Sequence, residues 1–165
     1  MENMIIGFSK SKGFKPFSWA IRLFEGTKYS HAYIKFENKY YGDTEIYQAS
    51  KGMVNHLLEQ QFLVENEVLA EFLLSFEEKK NIIKFLRERL GRPYSVSTVI
   101  GLFLAKVGIL SKRFYDNERA YICSELVARV LKEINKLPND INIDKATPEQ
   151  LYNLCKINFT QIKGN

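Results

Sequence analysis

From Met4 to Phe8 the chain is mostly apolar, and after a polar loop around Gly13 a second segment opens at Pro16 and places Trp19, Ile21, Leu23 and Phe24 before Gly26. The first reads as a short strand and the second as a helix, because proline suits a helix's first turn and glycine its end. Between Ser30 and Phe36, aromatic and branched residues fall near alternation, the period of a strand with one face buried. Tyr40-Tyr41-Gly42-Asp43 resembles a strand end and turn, and Glu45 to Ala49 and Gly52 to Leu58 then continue the pattern. Together these segments predict a meander. Val68 to Leu74 adds a strand after the polar linker Glu65-Asn66-Glu67.

The period then lengthens. Ser75-Phe76-Glu77-Glu78 has the form of a capping box, in which the serine accepts from a first-turn amide while the glutamate reaches back to the cap. It predicts a helix burying Ile82, Ile83, Phe85, Leu86 and Leu90, closed by Gly91 with Pro93 as a stop. A stronger helical stripe of Leu126, Val127, Val130, Leu131 and Ile134 runs from Ser124 to about Asn135. Beyond a loop at Pro138, Thr147-Pro148-Glu149-Gln150 begins a turn of helix, and Lys156 to Ile162 reads as a last strand. This order predicts the α+β class, a largely antiparallel sheet or small barrel with helices gathered against it. The 165 residues suit one domain, expected to span 1–165.

Composition narrows the function classes. Hydrophobic residues at 45% and charged residues at 26% are ordinary for a globular chain. The net charge is +5, but the lysines and arginines are interleaved with acids, and no phosphate-cradling glycine loop occurs, so no nucleic-acid partner is expected. The apolar stretch from Val96 to Leu110 is about 15 residues long, short of the roughly 20 that cross a bilayer, and Lys106 interrupts it. It is expected to be a buried or lid-like helix, with membrane contact the lesser reading. Met1 to Gly7 does not resemble a secretory signal, so the mature chain is expected to begin there and to be cytoplasmic, or in the virion or host cell if phage-encoded. The abundance of lysine, asparagine and isoleucine fits an AT-rich bacterial or phage genome.

Cys123 carries the sharpest chemistry. It stands between a polar stretch and the Ser124 helix, where free N–H groups and the positive dipole end lower a thiol pKa from roughly 8.5 toward neutrality. That makes it a candidate nucleophile, whereas Cys155 reads as a passive core residue. A thiol nucleophile needs an imidazole to take its proton and a polar group to orient that imidazole. His31 opens the second strand; His56 lies in a later strand as a solvent-facing or merely satisfied imidazole. Gln48 sits on the strand expected to pair with that of His31, where its amide can accept the far imidazole N–H. Two distant histidines and no Cys-x-x-Cys spacing predict no metal and no cofactor.

Three short motifs, Ser30-His31-Ala32-Tyr33-Ile34, Tyr47-Gln48-Ala49-Ser50-Lys51-Gly52-Met53-Val54 and Tyr121-Ile122-Cys123-Ser124-Glu125-Leu126-Val127, follow one another in that order. The chain thereby resembles the circularly permuted NlpC-type hydrolases of the papain-like superfamily, the YiiX-like group in particular. Gly91-Arg92-Pro93-Tyr94 and Thr147-Pro148-Glu149-Gln150-Leu151 extend the resemblance over roughly Met4 to Tyr152. It implies a permuted papain-like fold with Cys123 as nucleophile, His31 as general base and acid, and Gln48 holding the imidazole, where many relatives carry Glu. A neutral amide orients the ring but stabilises imidazolium less than a carboxylate does. The Cys123 backbone N–H is expected in an oxyanion hole, because a tetrahedral intermediate at the helix tip needs donors there. Glu125 reads as a first-turn helix charge. Tyr94, Tyr29, Ser30 and Ser124 are the candidates to line the substrate cleft.

The expected activity is thiol-dependent hydrolysis of a peptide or isopeptide amide, a cell-wall peptide among them, through an acyl-enzyme and without a cofactor. A lipid or acyl amide or ester hydrolase or acyltransferase is the runner-up, motivated by the 96–110 segment. A catalytically silent binding or structural protein is the alternative from another class.

Overall fold

The computed structural model describes residues 2–13, 18, 22, 26–37, 42–76, 79–93 and 123–164. Its strands are β1 (Glu2–Ser11), β2 (His31–Glu37), β3 (Thr44–Ser50), β4 (Met53–Leu58), β5 (Asn66–Phe76) and β6 (Thr160–Lys163). Its helices are α1 (Glu59–Glu65), α2 (Lys79–Arg87), α3 (Cys123–Glu133) and α4 (Pro148–Asn158), with a short 3-10 turn at Ile143–Lys145. The strands form one sheet in the order β4-β3-β2-β1-β5-β6, and every pairing is antiparallel. The α+β expectation and the meander are therefore as the alternation implied.

Alternation sorts the sheet into two faces. Ile6 and Phe8 of β1, Ala32 and Ile34 of β2, Tyr47 of β3 and Phe72 of β5 join one core with Ile82 and Leu86 of α2, Leu126 and Val130 of α3, and Leu151 of α4. The other face carries a smaller cluster of Tyr33, Ile46 and Phe62, the last from α1. Gly7 lies opposite Tyr33 in the β1–β2 register, and a Cβ there would overlap the tyrosine ring. This is a close approach that only glycine allows. Beside Tyr33 lies a buried charge group: the Lys35 ammonium donates to Glu59 at 2.8 Å and Glu71 at 2.9 Å, and the Tyr33 hydroxyl donates to Glu71 at 2.7 Å. Burial pushes the Lys35 pKa down, but the hydrogen bonds to Glu59 and Glu71 outweigh it and hold the ammonium above its ordinary value.

Four expectations need correction. The polar linker Glu65-Asn66-Glu67 does not exist as such, since α1 runs through Glu65 and β5 starts at Asn66. Ser75 is part of β5, its hydroxyl donating to Asn3 at 3.0 Å in place of capping a helix, while Glu77 and Glu78 of the expected capping box lie outside the described residues. Leu90 is 39% exposed and so is not on the buried face of that helix. The turn at Thr147 grows into the eleven-residue α4, with a complete capping box between Thr147 and Gln150, so the last strand is confined to Thr160–Lys163. Of the predicted 16–26 segment, Ser18 and Arg22 are described and helical, and Gly26 is described in a turn. Tyr40, Tyr41, Tyr94 and the 96–110 segment lie outside the described residues. Among the described residues, no helix is long and apolar enough to cross a membrane.

Candidate active site

The site starts from a hairpin. Lys51 and Gly52 both adopt positive φ, at 52° and 87°, which is the backbone of a two-residue turn matched to the twist of paired strands. The turn sets Ser50 opposite Met53 and hence Gln48 opposite Asn55. β2 pairs with β3 only from Ile34↔Tyr47 to Glu37↔Thr44; nearer its start, its cross-strand partner is β1, as far as Ser9↔His31. The gap past the end of the β2–β3 ladder is where His31 meets Gln48, with Nε2 of the imidazole 2.6 Å from Oε1 of the amide. Gln48 is 6% exposed. Its own Nε2 donates to Asn55 Oδ1 at 3.2 Å, and the Asn55 amide donates to the Ser50 carbonyl at 3.0 Å and hydroxyl at 3.1 Å.

A carbonyl oxygen only accepts, so the nitrogen facing Gln48 Oε1 carries the imidazole proton and Nδ1 keeps the lone pair. Burial pushes the His31 pKa from 6.5 down to about 4, against a smaller opposing effect of the Gln48 hydrogen bond. The resting imidazole is thus neutral at pH 7 and suited to accept a proton. This has a consequence for stability. The unfolded chain binds a proton near 6.5 and the native ring only near 4, so the preference is fully present above 6.5 and lost as pH falls through 4. It amounts to roughly 3 kcal/mol. Urea unfolding of the wild type and His31→Asn should therefore show the wild type losing the extra stability between pH 7 and pH 4. Parallel losses in the two proteins would mean the ring is not held neutral.

Cys123 is the first described residue of α3, outside any disulfide and 4% exposed. The helix packs on β2 and β3, the strands that carry His31 and Gln48. Side chains under it are Ala32 and Ile34, whereas His31 leaves β2 on the opposite side, its ring stacked 6.3 Å from Phe62. It is the first residue of β2, at the strand's end. A chain of contacts ties that end to the helix tip. Ser124 Oγ donates to the Ala146 carbonyl at 2.5 Å, Ala146 leads into α4, and Glu149 in the first turn of α4 accepts from Thr27 Oγ1, four residues ahead of His31. Glu125 turns back along α3 to Arg129 at 2.8 Å, so its charge is partly compensated near the thiol.

The remaining candidates divide. Tyr29 is 2% exposed, with its ring 4.3 Å from Tyr152 and 5.7 Å from Phe8; burial, reinforced by the Tyr152 hydrogen bond, raises its pKa. It is core packing, not a cleft wall. Ser30 is buried with its hydroxyl 2.6 Å from that of Ser18, and Ser124 is used by Ala146, so both serve the scaffold. Tyr94 lies outside the described residues. Cys155 is fully buried and burial raises its thiol pKa, which leaves it inert. His56 packs tilted against Tyr47 at 5.1 Å and lies 3.8 Å from Glu45, an exposed and satisfied imidazole. The residue missed from the sequence is Asn55, whose signal was its place opposite Gln48 across the Lys51–Gly52 turn.

These residues define an antiparallel α+β fold with an oriented, neutral imidazole at the end of its second strand. No protein-family model matches the chain, and no curated protein matches it. Among solved structures it is similar to metalloprotein yiiX from Escherichia coli O157:H7, with a TM-score of 0.64 and 17% identity over 100% of this chain and 97% of that one. At that identity the likeness is one of fold, which is YiiX-like. That protein is described as a metalloprotein. Among the described residues here, no group of three or more His, Cys, Asp and Glu side chains is gathered to hold a metal ion.

Proposed function

We propose that the protein is a thiol hydrolase of the permuted papain-like kind, cleaving a peptide or isopeptide amide through an acyl-enzyme. The observation that carries this reading is the 2.6 Å bond between His31 Nε2 and Gln48 Oε1, which leaves Nδ1 free to act as the base. The YiiX-like fold and the position of Cys123 in the first described turn of α3 support it.

In this reading Nδ1 takes the Cys123 proton as the sulfur attacks the substrate carbonyl, and the new oxyanion lies against the helix-tip N–H groups. The imidazolium then returns its proton to the leaving amine, and water, deprotonated by the same ring, hydrolyses the thioester. The test is intact-mass analysis after incubation with peptide anilides and, separately, with fatty-acyl esters and N-acyl amides. An acyl adduct on Cys123 from the peptide substrates is expected. An adduct formed only from fatty-acyl donors would shift the substrate class to lipids, and no adduct from either would leave a binding protein.

A further inference from the structure

We infer that Asn55 is a positioning residue that decides which nitrogen of His31 carries the proton. Backbone carbonyls cannot exchange donor for acceptor, so the Ser50 carbonyl, 3.0 Å from Asn55 Nδ2, fixes which end of the Asn55 amide is nitrogen. The Ser50 hydroxyl at 3.1 Å and the Met53 carbonyl at 3.4 Å face the same nitrogen. Asn55 Oδ1 is thereby turned to Gln48, and it accepts from Gln48 Nε2 at 3.2 Å. That in turn holds Gln48 Oε1 toward the ring and places the imidazole proton on Nε2. The hairpin at Lys51–Gly52 is what brings the fixed carbonyl, Asn55 and Gln48 into one row. If the Gln48 amide rotated by half a turn, its NH2 would face the ring, the proton would move to Nδ1, and the lone pair would point away from any thiol.

The inference rests on the reading of His31 as the base, but its readout does not need activity. Long-range proton–nitrogen correlation spectra of histidine-labelled protein at pH 7 report the tautomer directly. The wild type is expected to show His31 protonated on Nε2 alone. Asn55→Leu should add the Nδ1-protonated form and slow alkylation of Cys123 severalfold. Asn55→Asp keeps an acceptor for Gln48 while losing the bond to the Ser50 carbonyl, so it should retain the wild-type tautomer. A residue that only braced the hairpin would make Asp as disruptive as Leu. In a Gln48→Glu background the carboxylate accepts from Nε2 whatever Asn55 does, and Asn55→Leu should then leave the tautomer unchanged.

A pure Nε2-protonated ring in Asn55→Leu would overturn the inference, as would a tautomer shift of equal size in Asn55→Asp. A tautomer shift in Asn55→Leu alone, with alkylation of Cys123 indifferent to His31, would uphold the positioning role and refute the hydrolase.

Discussion

His31→Ala should slow alkylation of Cys123 at pH 7 by about 10²-fold or more, and Cys123→Ala should abolish both the adduct and any turnover, because a positioned general base supplies on the order of 10² to 10⁴ in rate. The pH profile distinguishes this from a generally damaged protein. With a neutral imidazole as base, the wild-type rate should hold from pH 7 downward and fall only as the ring protonates near 4. In His31→Ala the rate should instead climb with the thiol's own ionisation, near 8.5 for an ordinary cysteine. Stopped-flow reaction with a small iodoacetamide probe reads both curves. Cys123 alkylating at the same rate with and without the imidazole would end the enzyme reading. The buried position of the thiol, 4% exposed, makes a small probe necessary.

The strands that carry this chemistry were legible from near alternation of aromatic and branched residues, although the central residues of β2 and β3 are buried on both faces and not on one. Ala32, Ile34 and Phe36 alternate with His31, Tyr33 and Lys35, and the helix with Cys123 shows its apolar stripe in Leu126, Val127, Val130 and Leu131. The pairing of His31 with Gln48 was legible as an expectation from adjacent strands, and the two do meet. Helix α1 was not legible: it is two turns long and buries only Phe62, so no periodic stripe announces it. The end of the chain was misread because Leu151, Leu154 and Cys155 have helical spacing that was given less weight than the residues after them. Asn55 could have been found by register alone, since 48 and 55 lie two positions outside the 50 and 53 that flank the turn. Tyr29 was drawn toward the site by its closeness in sequence to His31, but its contact with Tyr152 depends on α4, more than a hundred residues away, and no local pattern records it.

Lys35→Met should lower the unfolding free energy by roughly 3–5 kcal/mol, because it deletes one partner of a buried ion pair and strands the other. The side chains of Lys35 and Glu71 are 10% and 5% exposed, and Glu59 is the more open partner at 27%. Methionine replaces the aliphatic stem of lysine, so the loss comes from the uncompensated carboxylates and not from a cavity. Replacing Glu71 by leucine as well should recover much of the stability, since a buried pair exchanged for apolar residues of similar volume is often neutral. Glu59 then remains close enough to solvent to be hydrated. Urea denaturation of the two single variants and the double variant gives the coupling directly, and a Lys35→Met loss below about 1 kcal/mol would show that water already screens the group. The same cycle bears on the candidate site. Glu71 accepts from the Tyr33 hydroxyl, Tyr33 packs 4.6 Å from Phe62, and Phe62 stacks against His31. Loosening Lys35 therefore removes a support beneath the imidazole, and Lys35→Met should slow Cys123 alkylation while the double variant restores stability without restoring the full rate, because leucine cannot hold the Tyr33 hydroxyl.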